Sequence, residues 1–334
     1  MTAEFAFFPL NPALDVEARI PTIEQVADTD MSRSTWRIIS DGLLSDEDPS
    51  QKASKITNNL RLLILDDLPY PDWDDIWWIL VKSFCAIPPD HPWQTTLLEV
   101  VEEFSHLDKT QTGDKNKSNE YIIWRELPKF DVAVYEMFAY DPNDFNYYDE
   151  FRPDVADRWK NYTSFVARIG KNKACNWGDL PIWQLRTDLE NDFPSKEETP
   201  YRAAMIELRI WTATEWILHH GKTIHRLMRW DGPLDKDDNK TFRLGPLLEG
   251  VEAYSLGRWN FWKERLRTLA GQLGDLGVDS AMAERISQTL ERMDELEEDF
   301  EKQKKRKTRR KAKAEARSQA QRRAQRHSRR QGRK

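Results

Sequence analysis

The stretch from Pro181 to Glu190, PIWQLRTDLE, decides what kind of fold this chain builds. Its apolar residues Ile182, Leu185 and Leu189 fall at i, i+3 and i+7, which is one face of an α-helix and not the alternation of a strand. Asp179 or Leu180 followed by Pro181 suits a helix start, because proline is tolerated in the first turn. Trp183 lies about 100° around the helix from Ile182, near the edge of that stripe. Arg186 and Glu190 are four apart and are expected to pair on the surface. The stretch therefore reads as a helix that packs, and every residue in it has a place without any catalytic role.

The same period recurs in both directions. Upstream, a helix from about 154 to 169 carries Trp159, Tyr162, Val166 and Ile169, with Gly170 as its stop. Before it, LPKFDVAVYEMFAYDP places Pro128 in a first turn, Phe130, Val134 and Phe138 on one face, and Pro142 past the end. Further stripes are Ile56, Leu60, Leu63 and Ile64, then Ile76, Trp77, Leu80, Val81 and Phe84 behind an Asp72 cap, then Leu97, Val100, Val101, Phe104 and Leu107. Downstream, TPYRAAMIELRIWTATEWILHHG carries Leu208, Trp211, Thr212, Glu215, Trp216 and His219, with Gly221 as the expected terminator. SLGRWNFWKERLRTLAGQL carries Trp259, Trp262, Leu266, Leu269 and Leu273.

Composition agrees with this pattern. The 334 residues include 13 Gly and 14 Trp, a tryptophan-rich, glycine-poor chain that favours helices over turn-rich sheet. The expected class is all-α: an irregular multi-helix domain with a C-terminal amphipathic helix and a basic tail. Residues 1–45 read as mostly irregular, with a short helix near Met31 to Ile39, and 46–275 as the helical domain. Residues 276–303 form the amphipathic helix, and 304–334 a low-complexity basic tail, helical or disordered. Ile286, Leu290, Met293, Leu296 and Phe300 step by 4, 3, 3 and 4, which is helical without a strict heptad and leaves a coiled coil as a bare possibility.

Four segments, FDVAVYEMFAYDP, NYTSFVARI, IWQLRTDLE and LGRWNFWKERL, together resemble a fungal family of unknown function, domain-of-unknown-function family 3632. The resemblance covers about 125–270 and rests on apolar and aromatic blocks in order. The family's second block usually reads nearer NLNSFVARL, and Tyr162 and Thr163 depart from it here. It implies a helical, intracellular protein and carries over no activity and no functional residue.

Candidate chemistry is sparse. His219, His220 and His225 in HHGKTIH fall at an expected helix C-terminus, where histidine suits the dipole, and Glu215 with His219 has no obvious third metal ligand. Cys175, near Lys171 and Lys173, has no base to make it a nucleophile. Acid pairs such as Asp74 and Asp75 or Asp237 and Asp238 sit in caps and loops. No phosphate-binding glycine loop, GxSxG or HExxH pattern is present. No catalytic residue, cofactor or metal is expected. Tyr140, Phe145, Tyr147, Tyr148 and Phe151 line an acidic loop that either forms a pocket or partner surface or caps the core.

The two Cys form no CxxC motif, the first residues lack a basic leader, and the longest apolar run, IWWILV, is too short for a bilayer. A soluble intracellular protein with no membrane contact is expected. Charge is unevenly placed: Lys302–Lys334 holds 17 Lys or Arg against the single Glu315, so a +16 tail follows a −22 body within the net −6. The targeting or nucleic-acid residues are Lys304, Lys305, Arg306, Lys307, Arg309, Arg310, Lys311 and Lys313. After Phe300 no Leu, Ile, Val, Met or aromatic residue appears, so this segment builds no core and stacks no bases.

The leading reading is a non-enzymatic interaction protein, nuclear rather than cytoplasmic, whose tail engages a nuclear import receptor. The second is a sequence-nonspecific nucleic-acid-associated protein binding phosphates weakly through the tail. A tail docked on its own acidic body, and an enzyme with a site built from scattered residues, are the further readings. The oligomeric state is open.

Overall fold

A computed structural model describes residues 15–331 except 68–70, 112–120, 143–150, 171, 173–174, 176, 231 and 233–240, and leaves out the side chains of 111, 121, 153–154, 312–314 and 316–331. Among the described residues the chain is all-α, with eleven α-helices. They are α1 (Val16–Arg19), α2 (Asp30–Leu44), α3 (Pro49–Asp66), α4 (Trp73–Ala86), α5 (Pro92–His106), α6 (Phe130–Phe138), α7 (Pro153–Ile169), α8 (Asp179–Leu189), α9 (Arg202–Leu227), α10 (Leu256–Leu276) and α11 (Ala281–Gln331). A 3₁₀ turn, Ile20–Val26, follows α1, and a two-residue antiparallel pair joins Thr110–Gln111 to Tyr121–Ile122.

Local chemistry sets the helix ends. Thr29 and Ser32 form a capping box on α2, and Asp48 and Gln51 form one on α3. Asp72 accepts from the Asp75 amide at 3.4 Å to start α4, and Ser255 accepts from the Arg258 amide at 3.1 Å to start α10. Gly277, at φ 75°, closes α10 in the left-handed conformation that glycine adopts without steric cost.

Helices α2 to α5 form one packed half, with α3 against α5 and α2 against both α3 and α4. In the other half α9 is central and touches α7, α8, α10 and α11. Helix α7 joins the halves by packing on α4 and α5 as well as on α9. Trp77, Trp124, Trp159, Trp216, Trp259 and Trp262 are all fully buried, which accounts for much of the tryptophan content. Trp77 stacks on Trp73 with ring centroids 6.0 Å apart and donates its indole N–H to the Pro128 carbonyl at 2.6 Å.

Three expectations are corrected. Residues 15–45 are not mostly irregular: α2 is a 15-residue helix, and Ile20, Ile23, Ile39 and Leu43 belong to the core. Pro128 does not open α6, which begins at Phe130; Leu127 (φ 46°) and Lys129 (φ 61°) take left-handed backbone on either side of it. Gly221 does not end α9, which continues to Leu227. Gly221 is instead where α11 comes close, since a Cβ there would lie 2.9 Å from Leu296 Cδ1.

Candidate functional site

The stripe Ile182, Leu185 and Leu189 is buried as its spacing requires, but the polar residues Gln184, Asp188 and Glu190 are buried too. Glu190 and Arg258 both have 0% exposure and form an ion pair, with Arg258 Nε donating to Glu190 Oε1 at 2.6 Å and a terminal nitrogen donating to Oε2 at 3.1 Å. The expected surface pair of Arg186 with Glu190 is therefore wrong. An exposed Glu190 would suit Arg186, but the carboxylate points into the junction of α8 with α10.

That junction satisfies its charges completely. Arg258 gives its remaining N–H groups to the carbonyls of Phe242 (2.8 Å), Ala253 (2.9 Å) and Arg243 (3.3 Å), so all five guanidinium donors are used. Glu190 also accepts from the Trp262 indole at 2.8 Å and from the Gly245 amide at 2.7 Å. Position 245 must be glycine for this approach, because a Cβ would lie 2.5 Å from Glu190 Cβ. The pair thus ties the irregular segment before α10 to the end of α8.

Asp188 is buried two residues earlier on different terms. Its carboxylate accepts from the Thr212 hydroxyl at 2.6 Å and from Gln184 Nε2 at 3.0 Å, and the same Gln184 nitrogen lies 3.3 Å from Asp141 Oδ2. Burial, reinforced by Asp141, pushes the Asp188 carboxyl well above the usual carboxylate range; the Thr212 and Gln184 hydrogen bonds and the Arg209 charge oppose the rise without cancelling it. Arg209 itself donates to carbonyls at the end of α8, those of Asn191 at 3.0 Å and Asp192 at 2.8 Å among them.

From Arg258 the geometry leads to α11. The next residue, Trp259, is buried and donates its indole N–H to Glu297 at 2.8 Å, and Lys263 reaches the same oxygen at 2.8 Å. Arg229 lies over the Phe300 ring at 4.0 Å. Nearer the start of α11, Arg285 pairs with Glu215, whose other oxygen lies 3.3 Å from His219. Burial alone would raise Glu215, but His219 and Arg285 outweigh it and hold the carboxyl at about 2. Beside the Trp259–Glu297 contact and Arg229 opens a groove of about 530 Å³, lined by Leu256, Trp259 and Asn260 on one side and by Glu298, Glu301 and Lys305 on the other.

Beyond the groove the basic residues project. Lys304, Lys305, Arg306, Lys307, Arg309, Arg310 and Lys311 are all exposed on α11, while the Lys313 side chain lies outside the described ones. The boundary expected near 303 is no break in the helix. Sequence reasoning placed the basic run but missed that Glu190 pairs with Arg258 across 68 residues and that Asp188 accepts from Thr212 of α9.

His219 and His220 lie within α9, and His225 lies in its last turn. His220 is buried, held down to about 4 by that burial, and seated so closely on Gly170 that a Cβ there would lie 2.4 Å from the ring. Gly170 ends α7 as expected, in a right-handed conformation, and the close approach is what requires glycine. Cys85 and Cys175 are buried, and that burial pushes each thiol up to about 12, away from the thiolate form a nucleophile uses. Lys171 and Lys173 lie outside the described residues, as do Phe145, Tyr147, Tyr148, Asp237 and Asp238. Asp74 meets Lys129 at 3.1 Å, and Asp75 accepts from the Thr29 hydroxyl. Among the described residues no group of three His, Cys, Asp or Glu could hold a metal ion, and no helix is long and apolar enough to cross a membrane.

No curated protein and no solved structure matches the chain. The family of proteins of unknown function termed DUF3632 matches residues 77–266, a span that runs from α4 into α10, contains both Glu190 and Arg258, and ends before α11. That match covers more than half of the 334 residues, and the chain belongs to this family.

Proposed function

We propose that the chain is a non-enzymatic interaction protein of the nucleus, in which an acidic helical body carries a basic helix for a nuclear import receptor. The observation supporting this is the stretch of α11 that follows Phe300: every side chain from Glu301 to Lys311 is exposed, and seven of the eight basic residues singled out in the sequence lie among them. No Leu, Ile, Val, Met, Phe, Tyr or Trp follows Phe300 to draw this segment onto a core, so its charge is available to a partner. Recognition by a receptor reads such a run of Lys and Arg without needing a pocket in the body.

A second reading uses the same surface. A helix with basic residues on all sides suits the phosphates of a duplex, with affinity that falls steeply as salt rises and with no preference among sequences. The acidic body would oppose that contact, which favours targeting over nucleic-acid binding as the main role. A fluorescent fusion of the full chain is expected to concentrate in nuclei, and replacement of the eight basic residues by Gln to disperse it. Equal nuclear signal from both would reject the targeting role. Fluorescence anisotropy with a duplex at several salt concentrations tests the second reading in the same pair of proteins.

A further inference from the structure

Helix α11 carries a pattern on its outward face that does not pack on the core and of which the targeting reading takes only Lys305 and Arg309. Ile286, Thr289, Met293 and Leu296 are buried against the body, and Phe300 continues that side. Directly opposite lie Glu291, Glu295, Glu298, Lys302, Lys305 and Arg309, all exposed. Their spacing is 4, 3, 4, 3 and 4, which at about 100° per residue keeps all six within about 40° of one line along the helix. Three acids are followed by three bases, and the series reads with the same spacing from either end. Its midpoint is the level of Phe300.

We propose that two copies of the chain pair through this face, antiparallel about a twofold axis at the level of Phe300. The symmetry then sets Glu291 opposite Arg309, Glu295 opposite Lys305 and Glu298 opposite Lys302, and repeats each pair with the copies exchanged. A parallel pair would set like charge against like along the whole face. The chain's own body is not the partner, because α11 is one helix to Gln331 and at about 1.5 Å per residue carries Arg309 roughly 13 Å past Phe300. Two of the acids already have local partners, Glu295 with Arg292 at 2.9 Å and Glu298 with Lys302 at 3.0 Å. Both pairs are solvent-exposed and exchange readily, and the second lies across the axis, where two copies join into a four-charge network. Leu256, 39% exposed beside Glu298 and Lys305 in the groove, offers apolar cover to the partner's lysine stems.

Exposed ion pairs are individually weak and no apolar seam accompanies them, so the dimer is reversible and salt-sensitive. The proposal does not rest on the nuclear reading. Sedimentation velocity of the full chain is expected to show dimer at about 0.01 M salt and monomer at about 1 M, where screening shortens from roughly 30 Å to roughly 3 Å. Glu291→Lys/Glu295→Lys/Glu298→Lys alone and Lys302→Glu/Lys305→Glu/Arg309→Glu alone are each expected to be monomeric at low salt, and their mixture to dimerise. All six positions are exposed, so circular dichroism is expected to show both variants folded. Orientation is read by oxidative cross-linking, since the native Cys85 and Cys175 are buried. Glu291→Cys mixed with Arg309→Cys is expected to give a covalent dimer, and Glu291→Cys alone to give none. A wild-type monomer at low salt, charge variants that dimerise alone, or cross-linking of Glu291→Cys to itself would each overturn the proposal.

Discussion

The end of α8 and the far half of α11 both carry dense charge, and they differ in access to water. At α8, Glu190 and Arg258 have no exposure, and each donor and acceptor of the pair is met by a named protein group. At α11, the described side chains from Glu301 to Lys311 are exposed, and their solvation comes from water. A buried charge has no substitute for a lost partner, whereas an exposed charge turns to solvent. The first region therefore fixes geometry, and the second acts on whatever approaches it. They are linked through α10, since Arg258 and Trp259 are neighbours and Trp259 holds Glu297 of α11.

The largest effect is expected at the buried pair. Arg258→Ala strands a carboxylate in the core and should destabilise the fold by about 3–5 kcal/mol in urea melts, while Glu190→Leu with Arg258→Met should cost less than either single change. A loss below about 1 kcal/mol would place the pair in contact with water. Next is the apolar stripe, where Leu185→Ala removes a fully buried side chain and should cost about 2–5 kcal/mol. Arg186→Ala should cost under about 1 kcal/mol, because that side chain is half-buried and faces Arg243 and Arg258 as well as Glu190.

A further effect is one of pH. Asp188 is raised, so the folded chain keeps its proton where the unfolded chain has lost it. Its favourable contribution is present below about pH 4, the unfolded value, and is lost as pH climbs toward the folded one. Asp188→Asn has no proton to lose, so its stability relative to wild type should improve steadily as urea melts move from pH 4 to pH 8. A difference that stays flat with pH would mean that Asp188 is charged in the fold.

Much of the fold was legible because helices announce themselves locally. The stripes of α3, α4, α5, α7, α8 and α10 were all readable at 3.6-residue spacing, and the Asp72 cap and the Pro181 start were placed correctly. What failed was long-range. Glu190 finds Arg258 at a separation of 68 residues, and the i, i+4 rule offered Arg186 instead. Gly221 carried a terminator's identity, but its purpose was set by Leu296 on another helix. Two acids flanking the buried Leu189 were the available signal for a buried polar junction. The basic run was plain in composition, whereas the symmetry of the stripe on α11 needed the buried side of that helix to define its outward one.

The most direct test is a pair of double-mutant cycles on Glu190, measured as urea unfolding free energies. One cycle combines Glu190→Ala with Arg258→Ala, the other Glu190→Ala with Arg186→Ala. Residues sharing a buried network couple by about 0.5–3 kcal/mol, and independent sites add within about 0.5 kcal/mol. Coupling near the top of that range is expected for Arg258 and near zero for Arg186. Additive losses for Glu190 with Arg258, or stronger coupling to Arg186, would contradict the buried junction and return Glu190 to the surface.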